Sequence, residues 1–240
     1  MNLAIDAGNT ATKYALFEGE NLVEFKIAKN QSEVLSLIED KSIENVIIGS
    51  VGHNGVHYHN LIDDKSKVLF LDGQTPIPFK NQYSNPSKLG VDRIAGVAAA
   101  IDLFAEMPIL IIDIGTCITF DFVDKDKNYW GGAISPGVNL RFKSMHNFTA
   151  SLPLIEQVNW PQDFIGSDTQ ACLTNGVLLG IQAEINYQIS LYIAKYPELR
   201  VVLCGGSISL FETKINAPIF VCPNLLLMGL NSILRYNVKK

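Results

Sequence analysis

Two acidic turns offer most of the chemistry available to this chain. The first lies within residues 1–17, where the apolar run Leu3-Ala4-Ile5 ends in Asp6 and the turn Ala7-Gly8-Asn9-Thr10 leads through Ala11, Thr12 and Lys13 into Tyr14-Ala15-Leu16-Phe17. A buried strand seldom ends in a charge without a partner or an ion. Gly8 leaves the backbone bare, so a bulky anion can approach the amides of the turn. Lys13 adds a positive charge. Carboxylate, bare amides, hydroxyls and a lysine together suit a phosphate with a divalent metal. The plainer reading is a hairpin whose acid happens to stand at the turn. No Gly-rich loop ending in Gly-Lys-Ser/Thr occurs, so a nucleotide here would be held in another way.

The second turn repeats the order of the first in Ile109-Leu-Ile-Ile-Asp113-Ile-Gly115-Thr116-Cys-Ile-Thr119-Phe-Asp-Phe122. Asp113 follows Asp6 at an offset of 107 (113 − 6), and Gly115 follows Gly8 and Thr119 follows Thr12 at the same offset. Solenoid repeats have periods of about 20 to 50 residues, so a repeat this long points to two duplicated domains. The boundary is placed near residue 105, giving domains 1–105 and 106–240. The two acid turns are expected to face each other across a cleft between these halves, a kind of place that ligand sites favour.

A third constellation is Gly90-Val91-Asp92-Arg93, after which apolar residues at 94, 97, 98, 101 and 104 follow the helical period. Asp92 and Arg93 therefore fall near a helix N-terminus. An acid there complements the helix dipole and needs no other purpose. Beside an arginine that can grip a carboxylate bidentately, it can also accept a proton from a hydroxyl. The polar stretch 75–87, with prolines at 76, 78 and 86, delivers this pair; long loops of this kind are often functional.

The elements that must position these groups read as an α/β layout. Strands are expected at 21–27, 45–51, 67–72, 129–134, 200–204 and 219–222, besides the two hairpins. Helices are expected at 32–40 with Ser32 as cap, 139–150, within 166–195 with Leu173, Val177, Ile181 and Ile185 on one face, and 225–236. Gly131-Gly132-Ala-Ile-Ser-Pro-Gly137 points to close backbone approach and a sharp turn. Gly205-Gly206 after a strand suits a flat base or ribose passing over bare backbone. His53, His57 and His59 read either as a metal site or as surface histidines at a helix start or in a loop, with no Cys in the segment to complete a coordination shell.

The bulk properties narrow the class. The chain has 240 residues, 48% hydrophobic, enough for one large domain or two smaller ones with real cores. A formal charge of −5 without a basic cluster argues against a nucleic-acid partner. Cys117, Cys172, Cys204 and Cys222 are scattered and lack zinc-ligand spacing, which fits reduced thiols. There is no signal peptide and no apolar run of about 18 residues, so a cytoplasmic protein without a membrane partner is expected.

Taken together, these residues resemble type III pantothenate kinase, of the acetate and sugar kinase/Hsp70/actin superfamily. The resemblance covers nearly the whole chain. Asp6 to Thr10 with Lys13 is similar to the family's first phosphate motif, Gly90 to Arg93 to its pantothenate motif, Asp113 to Thr116 to its second phosphate motif, and Gly131 to Gly137 to a further signature. Leu203-Cys-Gly-Gly206 resembles the adenosine segment. The resemblance implies an actin-like ATPase fold of two ribonuclease-H-like domains in tandem with an interdomain cleft, a homodimer, and ATP with Mg²⁺ and K⁺ or NH₄⁺. It implies phosphorylation of pantothenate to 4'-phosphopantothenate, the first step toward coenzyme A. By the same resemblance Asp6, Ala7, Gly8, Asn9, Thr10, Ala11, Thr12 and Lys13 hold the triphosphate, with Asp6 on Mg²⁺ directly or through water. Asp92 is the general base. Tyr83, Gly90, Val91, Asp92, Arg93 and Thr169 meet pantothenate, Thr169 across the dimer interface. Asp113 takes the monovalent cation and Thr116 touches ATP. Val91 stands where many relatives carry a smaller residue, and Tyr83 is assigned by its spacing to Gly90. The alternatives are a kinase for another small hydroxy acid or sugar, and a non-enzymatic nucleotide-binding regulator.

Overall fold

The structure is a computed structural model that describes residues 1–8, 11–50, 54–62 and 66–238. Asn9 and Thr10 of the first turn and His53 of the histidine group lie outside the described residues. The chain divides into two compact units, one of Met1–Glu106, Val123–Trp130 and Asn224–Lys240, the other of Met107–Phe122 and Gly131–Pro223. The first change-over lies beside the expected boundary. Two segments of the expected second half, however, fold with the first unit.

The first unit is built on β1 (Asn2–Ala7), β2 (Thr12–Glu18), β3 (Asn21–Ile27), β4 (Asn45–Ser50) and β5 (Val68–Phe70), in the order β3-β2-β1-β4-β5. β1 runs antiparallel to β2 and parallel to β4, and β4 runs parallel to β5. Side chains alternate faces along a strand, and this sorts β1. Leu3, Ile5 and Ala7 join Tyr14 of β2 in a core with Val34 and Ile38 of α1 (Gln31–Glu39) and with Tyr58 of α2 (Asn54–Leu61). Ala4 and Asp6 therefore lie on the opposite face, where α3 (Val91–Leu103) and α7 (Leu225–Val238) pack.

α1 begins earlier than the expected Ser32 cap. Asn30 is the cap, its side-chain oxygen accepting from the Glu33 amide at 3.0 Å. α3 is small-faced, with Ala95, Gly96, Ala98, Ala99 and Ala100 all buried. That lets α7 approach closely: a Cβ at Gly229 would sit 1.7 Å from the Ala95 carbonyl oxygen. This contact explains why the last helix of the chain belongs to the first unit. β6 (Lys80–Asn81), within the polar stretch, pairs in parallel with Asn128 and Tyr129 of β9 (Asn128–Pro136).

The second unit repeats the plan. β7 (Ile109–Ile114), β8 (Cys117–Val123), β9, β10 (Arg200–Cys204) and β11 (Ile219–Val221) lie in the order β11-β10-β7-β8-β9. Read from the first strand of each unit, these five strands have the order of the first sheet, and β6 adds a sixth beside β9. Leu110, Ile112 and Ile114 of β7 and Ile118 and Phe120 of β8 face a core shared with Val138 and Phe142 of α4 (Val138–Phe148), with α5 (Thr169–Lys195), and with Ile208 and Phe211 of the short α6 (Ile208–Phe211). α5 buries Leu173, Val177, Ile181 and Ile185 on one face, as its period predicts, and starts at Asp168, whose carboxylate accepts from the Ala171 amide at 2.8 Å. Among the described residues, no helix is long and apolar enough to cross a membrane.

Candidate active site

In the first unit, hairpin register sets the charges. Asp6 on β1 pairs directly with Lys13 on β2 and with Gly49 on β4. Lys13 neighbours Tyr14, which faces the α1 core, so Lys13 lies on Asp6's side of the sheet. Opposite charges facing across strands contribute about 0.2–1 kcal/mol. Burial outweighs that attraction at Asp6. Desolvation is the largest influence on its carboxyl; Lys13 lowers its pKa and Asp92 raises it, and the result is about 6 instead of 3.8. Asp92 therefore lies within electrostatic reach of Asp6, and the two carboxylates and the lysine form one group within the first unit.

α3 supplies Asp92. Gly90 caps the helix without a side-chain hydrogen bond, and Asp92 stands in the first turn, where its Oδ1 accepts from the Arg93 amide at 2.9 Å. Gly90 makes room for this carboxylate, since a Cβ there would sit 2.4 Å from Asp92 Oδ1. Arg93 is buried, and its guanidinium carbon lies 5.7 Å from the ring centroid of Tyr83. A cation over an aromatic face in this range is stabilised by about 0.5–2 kcal/mol. Tyr83, assigned by loop spacing, thus stands next to Arg93. Its ring in turn stacks on Tyr129 at 6.2 Å and 29°, and Tyr129 meets Phe79 edge-on at 6.1 Å. Sequence reasoning missed Tyr129 as a neighbour of this loop; the pairing of β6 with β9 that brings it there leaves no local signal.

In the second unit the acid turn is packed by glycines. The Gly115 amide donates to the Cys117 carbonyl and the Gly137 amide to the Thr116 carbonyl, each at 3.0 Å. A Cβ at Gly137 would lie 2.3 Å from the Gly115 carbonyl oxygen. The signature Gly131 to Gly137 thus makes two close approaches: at Gly132 a Cβ would lie 1.8 Å from the Phe120 carbonyl oxygen of β8, and Gly137 closes over the turn. Arg141, which the motif reading did not include, holds this segment. Its Nε donates to the Pro136 carbonyl at 2.8 Å, its Nη2 donates to Ser135 Oγ at 3.5 Å, and it forms an ion pair with Glu184 of α5.

Two expectations change here. Gly205, read as bare backbone for a base or ribose, has a φ of +105°, and a Cβ there would lie 2.4 Å from Asp113 Oδ1 and 2.6 Å from Ile114 backbone atoms. Its bareness makes room for the acid turn itself; Gly206, with nothing within 4 Å of a Cβ, is the open one. The match of Thr12 to Thr119 also fails. Thr12 shares a face with Tyr14 and the α1 core, whereas Thr119 lies between the core residues Ile118 and Phe120 and so points away from the α5 core, to the side of Asp113. The second turn is the shorter one, and the returning strand is displaced by an odd number of residues, which turns every side chain to the other face.

The remaining candidates are placed as follows. Thr116 lies in the second acid turn. Thr169 is exposed and is the first residue of α5. His59 is exposed and packs its ring on Phe70 at 4.8 Å. Among the described residues, no group of three or more His, Cys, Asp or Glu could hold a metal ion.

The comparisons with known proteins follow the same lines. The family model for type III pantothenate kinase matches residues 2–191. A type III pantothenate kinase of Bacteroides fragilis is 43% identical over 240 residues, covering 99% of this chain and 98% of that protein. Among solved structures, a Campylobacter jejuni protein described under the Baf family of transcriptional activators superposes with a TM-score of 0.63 at 20% identity, covering 99% and 100% of the two chains. The activator of 2-hydroxyisocaproyl-CoA dehydratase from Clostridium difficile, solved with bound ADPNP, superposes with a TM-score of 0.55 at 14% identity, covering 99% and 97%. The mixed α/β architecture with two sheets is the fold that these solved structures share. By the family match and the full-length identity, the chain belongs to the type III pantothenate kinase family.

Proposed function

We propose that this protein transfers the γ-phosphoryl group of ATP to the terminal hydroxyl of pantothenate, giving 4'-phosphopantothenate for coenzyme A synthesis. The observation that carries the reading is the grouping of Asp6, Lys13 and Asp92 in one unit, with Arg93 and Tyr83 beside Asp92, in a chain of this family. Phosphoryl transfer asks the protein mainly for alignment and charge stabilisation. Asp6, the turn amides and Lys13 would hold the triphosphate and its Mg²⁺; the metal, when bound, neutralises charge developing on the phosphoryl oxygens. The raised pKa of Asp6 fits a carboxylate that lacks enough positive charge in the chain itself.

Asp92 would take the proton of the attacking hydroxyl, a contribution of about 10²- to 10⁴-fold. Arg93, held over the Tyr83 ring, would grip the pantothenate carboxylate. Thr116 would meet ATP. Asp113 would take K⁺ or NH₄⁺. A homodimer belongs to the same reading, with Thr169 reaching the partner's pantothenate. Tyr187 and Leu191 of α5, 64% and 49% exposed, are apolar surface that a second copy would cover. Activity in the cytoplasm completes it.

The test is a coupled assay with pantothenate, ATP, Mg²⁺ and K⁺, omitting each component in turn, beside a panel of other hydroxy acids and sugars. Turnover that requires all four and is best with pantothenate is expected. A better substrate in the panel, or ATP binding with no turnover of any hydroxyl, would replace this reading. Sedimentation as a monomer at working concentration would remove the role of Thr169.

A further inference from the structure

The hairpin of β8 and β9 is divided between the two units. Its tip, Val123–Trp130, folds with the first unit although its strands begin and end in the second. The tip is tightly specified. Asp124 accepts hydrogen bonds from the Asp126 amide, from the Asn128 amide and side chain, and from Trp130 Nε1, at 2.8–3.1 Å. This fixes where β9 starts, and β9 starts against the loop that carries Tyr83. The Lys80 amide donates to the Lys127 carbonyl, and the Gln82 amide donates to the Tyr129 carbonyl at 2.9 Å. The Tyr129 ring is fully buried between Phe79 and Tyr83.

We infer that Tyr129 is a positioning residue for substrate recognition: its ring holds Tyr83 flat beneath the Arg93 guanidinium. Phe79, Tyr129, Tyr83 and Arg93 form one continuous row, edge-on at Phe79 and stacked from Tyr129 to Tyr83, and only its last two members are candidates to touch substrate. Aromatic pairs gain from geometry beyond their buried area, so the row orders a loop that has only two residues of β-pairing of its own. The effect should fall on the acid-bearing substrate and spare ATP, because Asp6 and Lys13 are held by the β1–β2 register and make no use of the row. The kinetic part of this inference rests on the function proposed above; the structural part does not.

The experiment compares Tyr129→Leu with Tyr129→Phe. In the absence of substrate, trypsin should cut after the exposed Lys80 and Lys88 several-fold faster in Tyr129→Leu, since local opening governs cleavage. KM for pantothenate should rise about tenfold, the loss of roughly one aromatic pair, with kcat and KM for ATP nearly unchanged. Tyr129→Phe keeps the ring and should stay much closer to the parent than Tyr129→Leu, in cleavage rate and in KM for pantothenate alike. Unchanged cleavage in Tyr129→Leu overturns the inference. So does an equal loss in kcat and ATP affinity, which marks general loosening, or a Tyr129→Phe variant as impaired as Tyr129→Leu. If Tyr129→Leu does not fold, Phe79→Leu at the far end of the row should show the same split more weakly, and its absence there overturns the inference equally. If the parent does not phosphorylate pantothenate, the proposed function fails, and the cleavage rates alone decide the role of Tyr129.

Discussion

At the first acid turn the charge on Asp6 is answered across the hairpin by Lys13 and opposed by Asp92. At the second, the returning strand brings Cys117, Thr119 and Asp121 to the side of Asp113, and the acid is enclosed by glycine backbone from Gly205, with Gly137 closing on the adjoining turn. Both units keep an apolar strand, an acid and a glycine in one strand order. They differ in what the turn places against the acid: a lysine facing it across the hairpin in one, close glycine backbone in the other. The first turn should therefore respond to changes of charge and the second to changes of volume.

The largest effect expected from this contrast is at the charged turn. Asp92→Asn keeps the shape and the Arg93 amide contact but removes the proton acceptor. Turnover should fall by at least about a hundredfold, the low end of what acid–base help contributes, with ATP binding retained by calorimetry. Near-normal kcat would take Asp92 out of the base role and reduce the first turn to a phosphate cradle.

The counterpart at the packed turn is Gly205→Ala, which changes no charge. At φ +105° an L side chain is strained, and the added methyl would meet Asp113 Oδ1 and Ile114 backbone. Strain of about 1–2 kcal/mol and overpacking of about 1–3 kcal/mol should lower the denaturation midpoint and weaken monovalent-cation activation together. A stable variant with unchanged cation response would show that the second turn yields to volume, and the contrast would lose one side.

Next in size is a stability effect with a defined pH sense. The Asp6 pKa is raised in the folded state, from 3.8 to about 6. The fold therefore favours protonated Asp6. Its contribution is present in full below about pH 4 and is lost as pH rises through about 6. Asp6→Asn removes this titration. The unliganded variant should be more stable than the parent at pH 7 by on the order of 3 kcal/mol, at about 1.4 kcal/mol per pKa unit, and the difference should shrink toward pH 4. Glu33, Asp40, Asp72 and Asp124 have lowered pKa values and shift stability in the opposite sense, so the comparison must be parent against variant at each pH. The same variant should lose most of its turnover. A variant less stable than the parent at pH 7 would mean that the Lys13 pairing outweighs burial.

What the sequence revealed follows the range of the forces involved. Apolar runs ending in Asp6 and Asp113 are local patterns, and β1 and β7 appear where the offset places them. The period of α5 gave its buried face for the same reason. Thr119 was misplaced because turn length, which sets strand register, lies outside the matched pattern. The docking of α7 on α3 through Gly229 and Ala95, and the reach of Tyr129 to Tyr83, join residues far apart in sequence. Gly205 was recognised as a backbone position needing room, but the group filling that room belongs to the chain.

The smallest effect expected is at the two turn glycines, and it separates folding from binding. A Cβ at Gly115 would meet Asp113 Oδ1 at 3.5 Å and the Cys117 carbonyl oxygen at 3.6 Å, ordinary contacts; at Gly8 it would meet the Ala11 carbonyl oxygen at 3.2 Å, a tighter one. Neither glycine has a positive φ. The fold alone therefore gives little reason for glycine at 115 and a modest one at 8. Gly115→Ala should alter stability by less than about 0.5 kcal/mol, as substitutions away from special features do, and Gly8→Ala by somewhat more. If bare amides at both turns are there to receive phosphate, both variants should still raise KM for ATP several-fold. A rise at Gly8 alone would assign the triphosphate to the charged turn and leave the packed turn to its cation. A rise at neither would mean that these glycines serve the hairpins, and that Lys13 and the metal hold the nucleotide without close backbone approach.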